Sequence, residues 1–284
     1  MIKRLLSILL VLSFVIISCK KDTRDLKEVQ DLEIKDFLGS NLTSFTKDSN
    51  GIYHQILIQP TGDSITNIEQ IFYLQTVKTK DGTTLLNSDK YNYFKNYLTD
   101  IKPIGFNKSI FALIKTGGKI RSIIPSYLAF GKDGSGSVVK GNAIIDATFE
   151  VINANSPIAV EDTLITRYQK NLGLTFTRDA SGVYYSIIES GNGIEEVTLS
   201  SKISANYTGK FFNGVQFDAS TSGTPFTTVL GTGVIKGWQI LTKLKKGGKI
   251  RLLIPSHKAY GTTGNGTIPS NTPLDFEIEL VNVE

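Results

Sequence analysis

The chain has 284 residues, of which 40% are hydrophobic, 20% charged and 10% aromatic. That is enough apolar material for one large or two ordinary globular domains, and it excludes a disordered or low-complexity chain. Lys+Arg outnumber Asp+Glu by 31 to 26, yet the basic residues are scattered and never run longer than a pair, which argues against a nucleic-acid partner. One cysteine and two histidines leave no intramolecular disulfide, no Cys/His zinc site and no paired Cys–His nucleophile to be expected.

At the N-terminus, Met1 to Arg4 make a short basic start and Leu5 to Ile17 an apolar run of thirteen residues. A bilayer-spanning helix needs roughly 20, so the pattern predicts a signal peptide over 1–18. The run ends Ile16-Ile17-Ser18-Cys19, which resembles the lipobox of bacterial lipoproteins. The resemblance implies cleavage before Cys19, lipidation of Cys19, and durable anchoring through several acyl chains. Lys20, rather than Asp, follows the cysteine, which in such lipoproteins points to the outer membrane of the bacterial cell envelope. Residues 19–45 are then expected to form a lipid-anchored tether containing an amphipathic helix over Leu26 to Leu38.

The remainder is an internal repeat with a period near 130 residues, which argues for two similar domains, expected over 46–153 and 176–284. Asn50-Gly51-Ile52-Tyr53 recurs as Ser181-Gly182-Val183-Tyr184, and Gly117 to Gly131 recurs as Gly247 to Gly261 with ten of fifteen positions identical. Phe149 to Asn153 likewise corresponds to Ile278 to Asn282, and the offset drifts only from 132 to 129 along the copies. Between them, 154–175 is expected to be a helical linker, with a short helix over Leu164 to Leu172. In the second copy, Val197, Leu199, Ile203, Ala205 and Tyr207 alternate with polar residues at strand period, as do Ile250 to Ile254 and Leu274 to Leu280. Trp238 to Lys246 carries apolar residues at Trp238, Leu241 and Leu244 and runs into Gly247-Gly248, predicting a helix with a glycine cap. The fold class is therefore α+β: two domains, each an antiparallel sheet with one short helix packed on it.

An ordered series runs through the second copy: Tyr207-Thr208-Gly209, Phe217-Asp218-Ala219-Ser220, Pro225-Phe226, Val234-Ile235-Lys236-Gly237-Trp238, Gly247-Gly248-Lys249, Ile254-Pro255, Ala259-Tyr260-Gly261, Ile268-Pro269 and Leu274 to Leu280. Over about 100 residues this resembles the FKBP-type peptidyl-prolyl cis-trans isomerases. The resemblance implies a curved sheet wrapped around a short helix, and an aromatic pocket that receives the proline ring of a polypeptide substrate without any cofactor or metal. Residue by residue, it puts Trp238 at the floor and Tyr207, Phe217 and Phe276 in the walls. The Tyr260 hydroxyl and the Ile235 N–H would hold substrate carbonyls, and Asp218 would sit at the rim, accepting a hydrogen bond from Tyr207. Phe226, Val234 and Ile268 complete the expected lining. Departures from the family pattern are Thr228, where many members keep a second phenyl ring, Thr267 in place of an apolar residue, and the lack of an arginine close after Asp218. Gly209, Gly237 and Gly261 read as turn residues.

Aligned by offset, the first copy puts Gln75 at the position of Tyr207, Leu85 at Phe217, Leu86 at Asp218, Lys108 at Trp238 and Ala147 at Phe276. Only Phe130, opposite Tyr260, then keeps a ring, so this copy is expected to fold but not to catalyse. Three functions compete: a lipid-anchored isomerase for envelope proteins whose folding waits on prolyl bonds, a lipid-anchored chaperone or binding module with little turnover, and a structural or motility-associated envelope scaffold in which the isomerase fold is only an adaptor. The polar groups of Tyr207, Asp218 and Tyr260 favour the first, because holding unfolded chains does not require them.

Overall fold

In a computed structural model that describes residues 25–66, 69–221 and 223–284, the repeat is built twice as a seven-stranded antiparallel sheet. The expected signal peptide and Cys19 lie outside the described residues. The first sheet consists of β1 (Thr46–Lys47), β2 (Tyr53–Ile58), β3 (Gln70–Thr79), β4 (Thr84–Asn87), β5 (Phe94–Tyr97), β6 (Lys119–Ile124) and β7 (Ile145–Ile152), in the order β1-β2-β6-β7-β3-β4 with β5 also on β3. The second consists of β8 (Thr177–Arg178), β9 (Tyr184–Glu189), β10 (Lys202–Phe211), β11 (Gln216–Ala219), β12 (Phe226–Val229), β13 (Lys249–Ile254) and β14 (Leu274–Val283), and repeats that topology strand for strand. Leu274, Phe276, Ile278 and Leu280 of β14 all face the core, as alternation requires. Val197 and Leu199 precede β10 rather than belong to it. Leu199 lies in a turn and is 48% exposed, and its carbonyl receives the Gly231 N–H.

Helix α1 (Leu26–Leu38) has the predicted bounds but is no free tether. Its Ile34 and Leu38 are buried against Tyr53, Ile123 and Ile144 on the outer face of the first sheet. Helix α2 (Ile104–Phe111) lies on the inner face. Helix α3 (Pro157–Leu172) begins a full two turns before Leu164, because Ser156 caps it by accepting the Ala159 N–H and Pro157 suits its first turn; Gly173 ends it in a left-handed conformation at φ 66°. Val160 and Leu164 pack on Phe72, Tyr93 and Ile152 of the first unit, whereas Ile165 and Tyr168 pack on Phe176, Tyr184, Phe212 and Leu253 of the second. The helix therefore joins the two sheets through adjacent strips of its surface. In the second unit a 3₁₀ helix, Lys236–Lys243, replaces the expected helix over Trp238 to Lys246, and Leu244 ends it; Gly247, at φ 81°, instead turns the chain into β13.

The two long helices are themselves repeat equivalents. The Ser126 N–H donates to Gln30 Oε1 (2.8 Å), while Gln30 Nε2 donates to Ser126 Oγ (2.8 Å) and the Asn142 carbonyl (2.9 Å). On α3 the carboxylate of Glu161, 1% exposed, takes the same place, accepting the Ser256 N–H (2.9 Å) and hydroxyl. His257 Nδ1 lies 3.3 Å away, and the Tyr93 hydroxyl of the first unit also faces this carboxylate. Burial raises the Glu161 carboxyl above its usual range, against the hydrogen bonds from Ser256 and His257. A folded-state value above the unfolded one means that the native state loses stability as pH climbs from the ordinary glutamate range through the raised value. Glu161→Gln, which copies Gln30, is therefore expected to raise the urea midpoint at neutral pH. Urea titrations in acid check the sign: the gain should vanish as pH falls below the ordinary glutamate range.

Candidate active site

Strand alternation and one short helix bring distant residues together on the core-facing side of the second sheet. Tyr207 comes from the middle of β10, Phe217 and Asp218 from β11, Phe226 from the start of β12 and Phe276 from β14, while the 3₁₀ helix inserts Trp238 beneath them. Trp238 is 3% exposed, Phe276 4% and Ile268 6%; Tyr207, Phe217, Val234, Ile235 and Tyr260 are half-buried against the same cluster. Ring centroids lie 5.2 Å apart for Tyr207 and Trp238, 5.6 Å for Trp238 and Phe276, 5.5 Å for Phe217 and Phe276, and 6.3 Å for Phe226 and Trp238. These four pairs meet edge to face, where the positive rim of one ring meets the negative face of the next. Phe226 stays exposed at the opening.

Two polar features interrupt this apolar wall. The Tyr207 hydroxyl donates to Asp218 Oδ2 at 2.7 Å, and Asp218 Oδ1 accepts the Ala219 N–H at 2.9 Å, so the exposed carboxylate is held from two sides. Burial, with the Asp218 hydrogen bond and charge second, pushes the Tyr207 hydroxyl well above the ordinary tyrosine range, so it remains a donor throughout the physiological range. Deeper in, the Trp238 indole N–H is buried with no partner among the described residues. The Ile235 carbonyl accepts the Trp238 backbone N–H (3.0 Å), while the Ile235 backbone N–H has no backbone acceptor among the described residues. A site built this way sets hydroxyl, indole and backbone donors beside a wall of packed rings.

The structure corrects the reading of the glycines and of the first copy. Gly209 is no turn residue: it sits in β10 directly opposite Phe276, and a Cβ there would stand 2.7 Å from Phe217 Cζ and 2.9 Å from Phe276 Cε1. Gly237 is likewise required by contact, since its Cβ would meet Ile254 Cγ2 at 2.4 Å; Gly261, at φ 61°, does serve a turn. Gly105 has the same relation to Ile124 Cγ2 (2.4 Å), which puts Phe106, not Lys108, at the position of Trp238. The two copies differ in length between this helix and the next strand, so an offset taken from β6 and β13 does not apply before it. Phe94 also matches Phe226 at the start of its strand, so the first unit keeps three of the rings rather than Phe130 alone.

What differs beneath these rings is the packing. Val77 faces Ala147 where Gly209 faces Phe276, and Val77 and Ala147 are both fully buried. Tyr73, where the second unit has Ala205, stacks on Phe94 at 5.6 Å, and Phe149, where it has Ile278, packs on Phe106 at 5.3 Å. Aromatic rings thus stand in the first unit at the two positions where the second has Ala205 and Ile278. Sequence reasoning also misses Phe211, whose ring backs Phe217 at 5.0 Å. The signal that exposes the glycine exchange is a comparison of the paired positions of β3 with β7 and of β10 with β14.

Known proteins resemble this part of the chain. Residues 193–281 match the family described as FKBP-type peptidyl-prolyl cis-trans isomerase. The chain is 42% identical over 107 residues to the FKBP-type peptidyl-prolyl cis-trans isomerase FkpA of Escherichia coli (strain K12), a match covering 37% of this chain and 39% of that protein. The matched part thus spans about two fifths of the length of FkpA. The crystal structure of FkpA from Escherichia coli is similar to 45% of this chain and 61% of its own, at 36% identity and a TM-score of 0.40. The chain is also 31% identical over 156 residues to the macrophage infectivity potentiator of Trypanosoma cruzi, covering 51% of this chain and 80% of that one. On the family match and these sequence relatives, the chain belongs to the FKBP-type peptidyl-prolyl cis-trans isomerase family.

Proposed function

We propose that the second unit accelerates cis-trans rotation of X–Pro bonds in polypeptides, and that the cage of half-exposed rings over Trp238 is where it does so. Rotation about an X–Pro amide must break its resonance, at a barrier of roughly 20 kcal/mol and over tens of seconds or longer. No bond to the substrate is needed. In the perpendicular transition state the C–N bond loses its double-bond character and the carbonyl becomes less polar, so a dry, apolar surround favours the twisted form over the planar one. Trp238 would support the pyrrolidine from below, with Tyr207, Phe217 and Phe276 as walls and Phe226, Val234 and Ile268 along the opening. The Ile235 N–H and Tyr260 hydroxyl would hold the flanking carbonyls, and Asp218 would fix Tyr207 and polarise the rim. The observation that carries this reading is the joint presence of the ring cage and the Tyr207–Asp218 hydrogen bond.

The first unit is proposed to be non-catalytic. A division into units at 46–153 and 176–284, with 154–175 between them, fits the repeat, each unit being completed by the helix that precedes it. The family match and the FkpA relatives support an envelope setting with proline-containing polypeptides as substrates, and lipidation of Cys19 would hold the protein on the outer membrane.

Asp218→Leu and Tyr207→Phe test the assignment, because Asp218 is exposed, Tyr207 only partly buried, and Leu86 already occupies the equivalent of Asp218. Each should lower kcat/KM on a short X–Pro peptide by about tenfold, the scale of a charge-assisted hydrogen bond, with thermal unfolding little changed. Wild-type activity should stay flat between about pH 6 and 9, because Tyr207 titrates above that range. Equal rates in wild type and both variants would reject catalysis at this site.

A further inference from the structure

Residues 88–93 connect β4 to β5, and their counterpart, 220–225, connects β11 to β12 at the rim of the ring cage. The equivalence is physical as well as sequential: Ser88 Oγ accepts the Gln75 N–H at 3.1 Å, as Ser220 Oγ accepts the Tyr207 N–H at 3.0 Å. Where the second unit has Gly223 at φ 75°, the first has Tyr91 at φ 62°. A bulky side chain avoids that left-handed region unless the surroundings hold it there. What holds Tyr91 is the other unit: its ring meets Phe212 at 5.5 Å and Tyr168 at 6.3 Å, edge-on to a Tyr168–Phe212 pair stacked at 4.0 Å.

The residues on either side of Tyr91 reach further, to the structures that frame the ring cage. Lys90 Nζ stands 4.4 Å above the Phe211 ring, and Phe211 backs Phe217. The same ammonium donates to the carbonyl of Thr267 (3.4 Å), next to Ile268. Asn271 Nδ2 donates to the Tyr93 carbonyl (3.2 Å), and Asn213 Nδ2 to Asp89 Oδ2 (3.1 Å). Four contacts thus bind one loop of the first unit to the β10–β11 turn and to the loop between Tyr260 and Leu274. The turn leads directly into β11, which carries Phe217, and the loop carries Ile268.

We propose that the loop 88–93 is a clamp by which the first unit sets the shape of the second unit's proline site, with Lys90 as the positioning residue and Tyr91 as its anchor. This rests on the pocket reading given above. It assigns the first copy a task that does not require its own niche to be open, and it explains why a tyrosine stands in a glycine conformation. Lys90 touches no substrate; it fixes Phe211, and through it Phe217, and pins the strand of loop that bears Ile268. Its removal should therefore loosen ground-state binding more than it slows the rotation itself.

The test uses the full chain with Lys90→Ala and Lys90→Arg. The expected result for Lys90→Ala is a KM for a short X–Pro peptide raised about fivefold, the scale of one cation–π contact, with kcat within about twofold. Lys90→Arg, which keeps both the cation over the ring and the donors, should restore KM. The chain has a single tryptophan, so its emission reports on the floor of the site directly, and Lys90→Ala should shift that emission whereas Lys90→Arg should not. An unchanged KM and unchanged emission in Lys90→Ala, or a Lys90→Arg variant as impaired as Lys90→Ala, would overturn the clamp. A wild-type chain without isomerase activity would instead overturn the proposed function, and the emission comparison would still decide the clamp.

Discussion

Gly209→Val alone should remove the proposed isomerase activity and lower the stability of the chain, whereas Gly209→Val combined with Phe276→Ala should cost less stability than the two single changes summed and recover none of the activity. A valine at 209 puts methyl groups where Phe217 and Phe276 already stand, since even a Cβ comes within 2.7 and 2.9 Å of their ring carbons. Overpacking of this kind costs about 1–3 kcal/mol. Phe276→Ala alone empties a site that is 4% exposed, at about 3–5 kcal/mol. Together the two changes reproduce the Val77–Ala147 pair of the first unit, which is fully buried in an intact core. The double variant should accordingly cost less than the sum of the singles. Urea unfolding measures the coupling, and peptide isomerisation measures the loss. Additive stability effects would mean that the pairing of ring and glycine is not what shapes this part of the core.

Asp275→Ala should destabilise the chain by about 3–5 kcal/mol, against about 1 kcal/mol or less for the equivalent Asp146→Ala. Both aspartates hold an arginine through two hydrogen bonds: Arg251 to Asp275 at 2.9 and 2.6 Å, and Arg121 to Asp146 at 2.9 and 2.7 Å. The difference is burial and a third partner. The Asp275 side chain is 3% exposed against 20% for Asp146, and it accepts the Tyr168 hydroxyl of α3 at 2.8 Å. The hydrogen bond to Asp275 raises Arg251 above its ordinary value, and burial, followed by the Asp275 charge, raises Tyr168. Removing the carboxylate leaves an uncompensated guanidinium and a phenol at the junction of α3 with the second sheet. Thermal and urea unfolding of the two variants side by side is the check; equal losses would show that the junction contributes nothing beyond a surface ion pair.

Much of the fold is legible in the amino-acid order alone, and what is not has definite physical causes. Alternation places Ile250 to Ile254 and Leu274 to Leu280 in strands because one face of each is buried, and the bounds of α1 follow from its apolar stripe. Its docking does not, since an amphipathic stretch reads the same whether it covers its own sheet or lies free. Family resemblance collects the Tyr207, Phe217, Trp238 and Phe276 rings, but their mutual contact is a matter of register that only the fold supplies. Phe106 escapes a constant offset because the copies differ in length between Phe111 and Lys119, so the alignment slides past it onto Lys108. Gly209 is easily misread because a glycine needed for close approach and one needed for a turn look alike in a sequence; the exchange with Val77 tells them apart. Tyr91 leaves no sequence signal at all, as its backbone conformation is imposed by Phe212 and Tyr168 from outside its own sheet.

The most direct measurement is a crystal structure of the full chain with a proline-mimicking peptide. The account predicts a pyrrolidine ring seated over Trp238 between Tyr207 and Phe276, its neighbouring carbonyl within hydrogen-bond reach of the Ile235 N–H, and no peptide at Phe106 in the first unit. A peptide bound elsewhere, or over Phe106 with the Trp238 site empty, would contradict it.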